Sequence, residues 1–363
     1  MKAYRVPFFV GLASRLHKEG VGLEVAYGEP WAEEAKRGDH VDLPAPLGRR
    51  LPSRMLGGKL LWMPALKPVL KADAVIVEHA NKHLLNYALM AAQGLGIKRL
   101  AYWGHGRDRQ ADSAAWGERF KQRSLHWADW WFAYTAGAAA YVAEQGFDPT
   151  RITTIGNAVD TRELREQVAS VSESERSEAW RALGLEAAGP CVVYCGSLYE
   201  NKRLDLMLPA MDAVQARLPG VKFIVIGGGP LAPAMQAYAE TRPWVRYAGP
   251  KFGRDKAVLL SLASIWLNPG LVGLGILDAF SAGLPLVTTD LPVHSPEIEY
   301  LEHGVNGVMV RAEVSALVDE LLGLLQSPVR LQLLREGALA SAECYSIESM
   351  VESYAQGVLK WLT

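Results

Sequence analysis

Short apolar runs rich in valine, isoleucine and aromatic residues recur along this chain, and helical patterns separate most of them. That alternation constrains the fold more than any other feature. Strands joined through helices pair in parallel and bury both faces of their sheet. The first series holds GLEVAYG (22–28), ADAVIVEH (72–79), KRLAYWG (98–104), WWFAYT (130–135) and RITTIG (151–156), with helical stretches such as NKHLLNYALMAAQ (81–93) between them. A second series runs through CVVYCGS (191–197), VKFIVIGGG (221–229), WVRYAG (244–249), SIWLNPG (264–270) and PLVTTD (285–290). The polar, helix-prone stretch 165–189 has few large apolar residues and reads as a connection between two domains. A chain of 363 residues is long for one core and comfortable for two. Two open α/β sheets in tandem place a cleft between them. The loops after Gly196, Gly229, Gly249 and Asn268 are expected there, because ligands of such sheets sit beyond the carboxyl ends of the strands. The tail, 346–362, reads as an amphipathic helix that starts either at Ser349, with Glu352 in capping-box spacing, or one turn earlier at Ser346.

The net charge of -1 argues against nucleic acid as the main partner. Three cysteines, Cys191, Cys195 and Cys344, with no Cys/His cluster suggest a reducing compartment and no structural metal. No secretory signal is visible between Met1 and Leu16, where Arg5, Pro7 and Arg15 interrupt the apolar residues, so a cytoplasmic location is expected. The uncharged run from Ala257 to Leu277 is long enough to span a bilayer, but Ser261, Ser264, Asn268, Pro269 and three glycines break it. A helix, a buried strand and a glycine turn account for it better. Between Asp42 and Asp73 the chain carries Arg49, Arg50, Arg54, Lys59, Lys67 and Lys71 and no acid, interleaved with leucines, methionines and Trp62. Two readings stay open for 49–71. It docks on the anionic inner face of a membrane, at about 1 kcal/mol per cation near the surface, or it forms a solvated helical hairpin.

The stretch PGLVGLGILDAFSAGLPLVTTD (269–290) raises a chemical question, since Gly270, Gly273 and Gly275 leave a bare turn ahead of a short helix. Such a turn leaves backbone N–H groups free to face an anion. Asp278, one and a half turns into the helix, is placed either to bind a pair of ribose hydroxyls or to be a satisfied core acid. In GSLYENKRLD (196–205), Lys202 and Arg203 open a helix, where cations cost about 0.3–1 kcal/mol against the macrodipole. A docked diphosphate would reverse that sign; a solvated surface pair is the alternative. GGGPLA (227–232) fits a dinucleotide fingerprint, but the next strand ends in VRYAGPK with no acid for a ribose, so a tight turn or a close backbone approach is the better reading than NAD binding.

The order of these segments carries a resemblance. The series GS…K, IGGGP, VRYAG, the glycine turn, GLPLVTTD and PEIEYLEHGVNGVMV (296–310) resembles the second domain of retaining GT-B glycosyltransferases of the GT4 type. TTIGNAVDTREL (153–164), YRVPFFVGLASRL (4–16) and WGHGRD (103–108) resemble their first domain, so the similarity covers nearly the whole chain. It implies an α/β fold of GT-B type, two Rossmann-like domains facing across a cleft. Residues 1–162 would bind the acceptor, with a C-terminal helix (347–363) packing back on them, and 188–345 would bind the nucleotide-sugar donor. It implies hexosyl transfer with retention from a nucleotide-sugar, a UDP- or GDP-sugar, to a saccharide or lipid-linked glycan of polysaccharide or lipopolysaccharide synthesis. No metal and no cofactor would take part. Positioning, cations and backbone amides would stabilise the leaving diphosphate, which helps accept the acceptor's proton, and domain closure would assemble the site.

By the same resemblance, Ser197, Lys202, Arg203, Gly273, Leu274 and Gly275 would hold the diphosphate, and Gly270, Asp278 and Glu297 the ribose and sugar, with Glu297 alternatively stabilising its loop. Tyr247 and Lys251 would border the base, and His105 would be the catalytic residue facing the reacting sugar, unless it is structural. Three departures stand out. The E-x7-E signature is Gly270 and Asp278 here, as in a branch with a Pro-Gly-x-Val-Gly turn; the expected phosphate arginine is Ser197; and MKAY is too short for the first strand, so the start is trimmed or the sheet has lost an edge. Gly270 and Ser197 also motivate the reading from another class, a non-catalytic subunit that binds nucleotide-sugar or glycan.

Overall fold

Period-two alternation sends successive side chains of each strand to opposite faces of its sheet. The computed structural model describes residues 1–30, 40–58, 60–106, 123–185 and 189–363. Its contacts divide the chain into two compact units, Met1–Asp160 with Ser346–Thr363, and Thr161–Tyr345.

In the first unit, helix α1 (Val6–His17) precedes β1 (Val25–Gly28), which pairs in parallel with β2 (Gly48–Leu51). The segment 49–71, for which a helical hairpin was one reading, is built differently. Strand β3 (Arg54–Leu56) turns through Gly57 and Gly58 into antiparallel β4 (Leu60–Trp62), and the short helix α2 (Leu66–Lys71) follows. Met55, Leu56, Leu60, Trp62, Leu66 and Leu70 are all exposed there. Arg49 pairs with Glu24, and Arg50 lies 3.5 Å from Asp42, whereas Arg54, Lys67 and Lys71 make no ion pair among the described residues. Lys59 lies outside the described residues.

The main sheet of this unit is parallel, in the order β5 (Ala74–Glu78), β6 (Arg99–Gly104), β7 (Trp130–Ala133), β8 (Ile152–Thr154). Helix α3 (Leu84–Gly94) lies between β5 and β6, and α4 (Ala136–Glu144) between β7 and β8. Leu100, Tyr102 and Trp131 pack with Leu89 and Met90 of α3 and Val142 of α4. Trp103 and Phe132 take the other face, where the rings of Phe8 and Tyr354 meet them; Phe132 and Tyr354 stack at 4.2 Å. The C-terminal helix (Ile347–Leu362) therefore covers this sheet together with α1. It starts at the earlier of the two candidate sites, where Ser346 Oγ accepts from the Ser349 N–H at 3.2 Å. Gly357 permits the close approach, since a Cβ there would sit 2.5 Å from Thr153 Oγ1.

The second unit opens with α5 (Arg162–Ala169) and α6 (Glu173–Ala182), formed from the stretch read as a connection. These helices are packed rather than bare. Ser172 and Glu175 form a capping box, and the Glu175 carboxylate accepts bonds of 2.6–3.0 Å from Arg254, which also donates to the Gln167 carbonyl at 2.6 Å. The Arg254 guanidinium, helped by the cap, holds the Glu175 carboxyl down to about 2. The sheet that follows is parallel and six-stranded, in the order β11-β10-β9-β12-β13-β14, where β9 is Cys191–Cys195, β10 Lys222–Ile226, β11 Val245–Gly249, β12 Ile265–Leu267, β13 Leu286–Thr289 and β14 Gly307–Val310. Its helices are α7 (Leu204–Arg217), α8 (Ala232–Glu240), α9 (Gly253–Ser261), α10 (Gly275–Ser281), α11 (Val314–Leu325) and α12 (Pro328–Cys344). The uncharged run 257–277 ends α9, forms β12 and opens α10, and no helix among the described residues is long and apolar enough to cross a membrane. Strand order reverses between β9 and β12, which puts the ligand-binding crevice of this sheet beyond their carboxyl ends.

Candidate functional site

At that crevice lies a cavity of about 220 Å³, lined by Cys195, Ser197, Lys202, Asn268 and the turn Gly273–Leu274–Gly275 among others. Lys202 ends the 3-10 turn Glu200–Lys202, and its ammonium donates to the Leu271 carbonyl at 2.5 Å. The Leu271 N–H returns a bond of 2.7 Å to the Asn201 carbonyl, so the turn and the loop after β12 are tied twice. Gly270 makes this approach possible. A Cβ at that position would sit 2.2 Å from the Asn201 oxygen and 2.4 Å from Lys202 Cα. Burial alone pulls the Lys202 ammonium down to about 8, and no carboxylate among the described residues offsets it.

The facing turn is held from behind. Thr289 Oγ1 donates to the Pro269 carbonyl at 2.6 Å, and the Ser295 N–H to the Val272 carbonyl at 2.9 Å. His294 Nδ1 accepts from the Val272 N–H at 3.0 Å, while Nε2 lies 2.6 Å from the Thr289 carbonyl. A carbonyl only accepts, so Nε2 carries the proton and this buried imidazole is the neutral tautomer. With the loop fixed in this way, the N–H groups of Gly273, Leu274 and Gly275 donate to no protein acceptor among the described residues. A half-buried ammonium and three consecutive unpaired amides on one small cavity make a receptor for an extended anion such as a diphosphate.

The other expected residues are placed differently. Ser197 lines the cavity, but Arg203 does not; its φ of 55° and ψ of 52° are left-handed, and its guanidinium forks onto Asp205 at 2.7–3.1 Å. Asp278 also stays off the cavity wall and is not a lone acid, for Lys256 of α9 meets it at 2.7 Å. Burial opposes the Lys256 charge, yet the Asp278 carboxylate outweighs it and raises the ammonium above its ordinary range. Glu297 is 3% exposed in the turn Pro296–Tyr300, and neither it nor Tyr247 or Lys251 lines the cavity. The Tyr247 hydroxyl donates to the Gly227 carbonyl at 2.9 Å, and a Cβ at Gly227 would collide with the Gly196 carbonyl, so the glycine run serves backbone packing. His105 belongs to the first unit, its ring 4.3 Å from that of Tyr134; Arg107 and Asp108 of WGHGRD lie outside the described residues.

Sequence reasoning missed Lys256, His294 and Asn268. Asn268 is 9% exposed, and its Nδ2 donates to the Leu271 carbonyl at 3.3 Å, which turns Oδ1 the other way without a partner. Only its place at the end of a buried strand signals it. Lys256 and Asp278 are the two charges that bound the uncharged run 257–277, but no local pattern pairs them across 22 residues. No signal marks His294.

Two family models match this sequence, glycosyl transferases group 1 over residues 189–327 and Glycosyltransferase Family 4 over residues 8–163. No curated protein matches it. Among solved structures, HepE of Anabaena in complex with UDP is 16% identical, with 98% of this chain and 96% of that one covered at a TM-score of 0.66. A glycosyltransferase of Rickettsia africae is 12% identical, with 99% and 96% covered at 0.71. The lipopolysaccharide outer core galactosyltransferase WaaB is 14% identical, with 99% and 97% covered at 0.62. At such identities the likeness shows the fold, the paired Rossmann-like domains of GT-B type.

Proposed function

We propose, from the two glycosyltransferase family matches and the GT-B fold, that the chain moves a hexose from a UDP- or GDP-sugar to a saccharide or lipid-linked acceptor with retention of configuration and without a metal ion. The observation that carries this reading is Lys202, a half-buried cation with no carboxylate, on one cavity with the unpaired amides of 273–275. Lys202 and those amides hold the leaving diphosphate and stabilise its charge as the glycosidic bond breaks. Asp278, steadied by Lys256, is assigned to the ribose; Ser197 borders the phosphates; Glu297 supports the donor loop; and Tyr247 and Lys251 are assigned to the base. Support for a nucleotide-sugar comes from HepE, solved with UDP and with UDP-glucose, and for a surface glycan from WaaB. Incubation with a panel of UDP-, GDP- and dTDP-sugars should release nucleoside diphosphate from one donor, and NMR of the product should show the donor's anomeric configuration. Binding without release from any donor and acceptor pair would favour a non-catalytic binding subunit.

A lipid-linked acceptor is favoured by the hairpin β3–β4 and helix α2, where unpaired Arg54, Lys67 and Lys71 accompany exposed Leu56, Trp62 and Leu70. The protein is expected to sediment with anionic vesicles and to lose that association when Arg54, Lys67 and Lys71 are replaced by glutamine. Equal sedimentation of both proteins would remove the segment from the account.

A further inference from the structure

A second cavity, again of about 220 Å³, lies among α5, α6, α9, α10 and α12 and shares no lining residue with the first. Three guanidiniums line it, those of Arg165, Arg176 and Arg335, together with Ser281 and the apolar Val168 and Leu260. Their charges are poorly answered. Arg165 meets Glu343 at 3.6 Å and Arg176 meets Glu173 at 3.9 Å, and these carboxylates are 77% and 85% exposed, where solvent leaves such pairs little strength. Arg335 makes no ion pair or hydrogen bond among the described residues.

Two polar atoms at the cavity are buried without a partner, the hydroxyl of Ser281, a residue 2% exposed, and the Nε of Arg176. Helix ends do not account for the arginines. The last carbonyls of α9 and α10 are bonded by their own following amides, Ala263 N–H to Leu260 at 3.1 Å and Gly283 N–H to Phe280 at 2.9 Å, and the Gln167 carbonyl of α5 is taken by Arg254. Three planar forks and a hydroxyl donor around one hollow match a dianion with three acceptor oxygens, and the apolar wall matches a small organic group attached to it.

We infer that this cavity is a binding site for a phosphate monoester, separate from the donor site. The phosphoryl oxygens take the three arginines and the Ser281 hydroxyl, and the ester group lies against Val168 and Leu260. Ser281 closes the seven-residue helix whose first residue, Gly275, lines the donor cavity, so the bound anion joins that helix to α5, α6 and α12.

The test titrates inorganic phosphate and phenyl phosphate by calorimetry into the full-length Lys202→Ala protein at constant ionic strength, so that the cation of the donor cavity is gone. One saturable site is expected, with phenyl phosphate about fivefold tighter or more because of the apolar wall. Adding Arg335→Gln, an exposed position, should weaken both at least about tenfold. Arg165→Gln provides a second variant, with melting curves to verify that each protein is folded. No saturable binding, an affinity indifferent to both arginine changes, or binding that requires Lys202 would each overturn the proposal.

Discussion

Lys202 gives up water at its cavity without gaining a carboxylate, and burial draws it from an ordinary 10.5 down to about 8. Between those two values the unfolded chain still holds the proton that the folded chain has released. This group's contribution to stability therefore rises with pH across the window, and its penalty is fully present below pH 8. A bound diphosphate works the other way, since it needs the charged form. Affinity for a nucleoside diphosphate is expected to fall as pH rises above 8, by up to about tenfold per unit. Lys202→Ala should cost about 1.5–3 kcal/mol of that affinity at pH 7 and flatten the pH slope. Calorimetry at pH 7, 8 and 9 measures both, and parallel slopes for the two proteins would take Lys202 out of the site. Two adjacent cations in GSLYENKRLD could be read as phosphate ligands or as a solvated surface pair, and which one turns inward was not legible. The left-handed backbone at Arg203 and the acid two residues later settle that, and neither is written in a local pattern. Asp278 likewise looked solitary because Lys256 reaches it through tertiary packing.

The element that matters most is the short turn 200–202, docked on the loop after β12 through a position that admits no side chain. Gly270→Ala would push a methyl into the Asn201 carbonyl and is expected to cost about 1–3 kcal/mol of stability. Gly275→Ala, where a Cβ meets open space, should melt within a degree or so of the parent. Thermal melts of the two variants decide it, and equal midpoints would mean that the tight approach is relieved by small shifts. The sequence signalled the presence of the central strands better than their partners. Runs such as VKFIVIGGG are buried on both faces and announce themselves, whereas GRRL at β2 is charged. The hairpin at 54–62 hid behind leucines that fit a helix, although Gly57 and Gly58, with φ of 56° and 68°, make a turn there.

For the whole molecule, the order of motifs carried more than any single one. Gly270 and Ser197 stand where acidic and basic ligands were expected, yet the two series of βα units still led to the GT-B fold. The C-terminal helix was legible as amphipathic, and the aromatic face of Phe8, Trp103 and Phe132 receives it. Donor base, acceptor and linkage depend on side chains beyond these motifs and leave no periodic trace. The central claim is that one half-buried lysine and three bare amides grip a diphosphate, and a crystal structure with UDP or GDP tests it most directly. The expected result places phosphate oxygens within hydrogen-bond distance of Lys202 Nζ and of the 273–275 amides, with the Leu271 carbonyl giving up part of its bond to the lysine. Phosphates bound elsewhere, with Lys202 still fully engaged by Leu271, would contradict it.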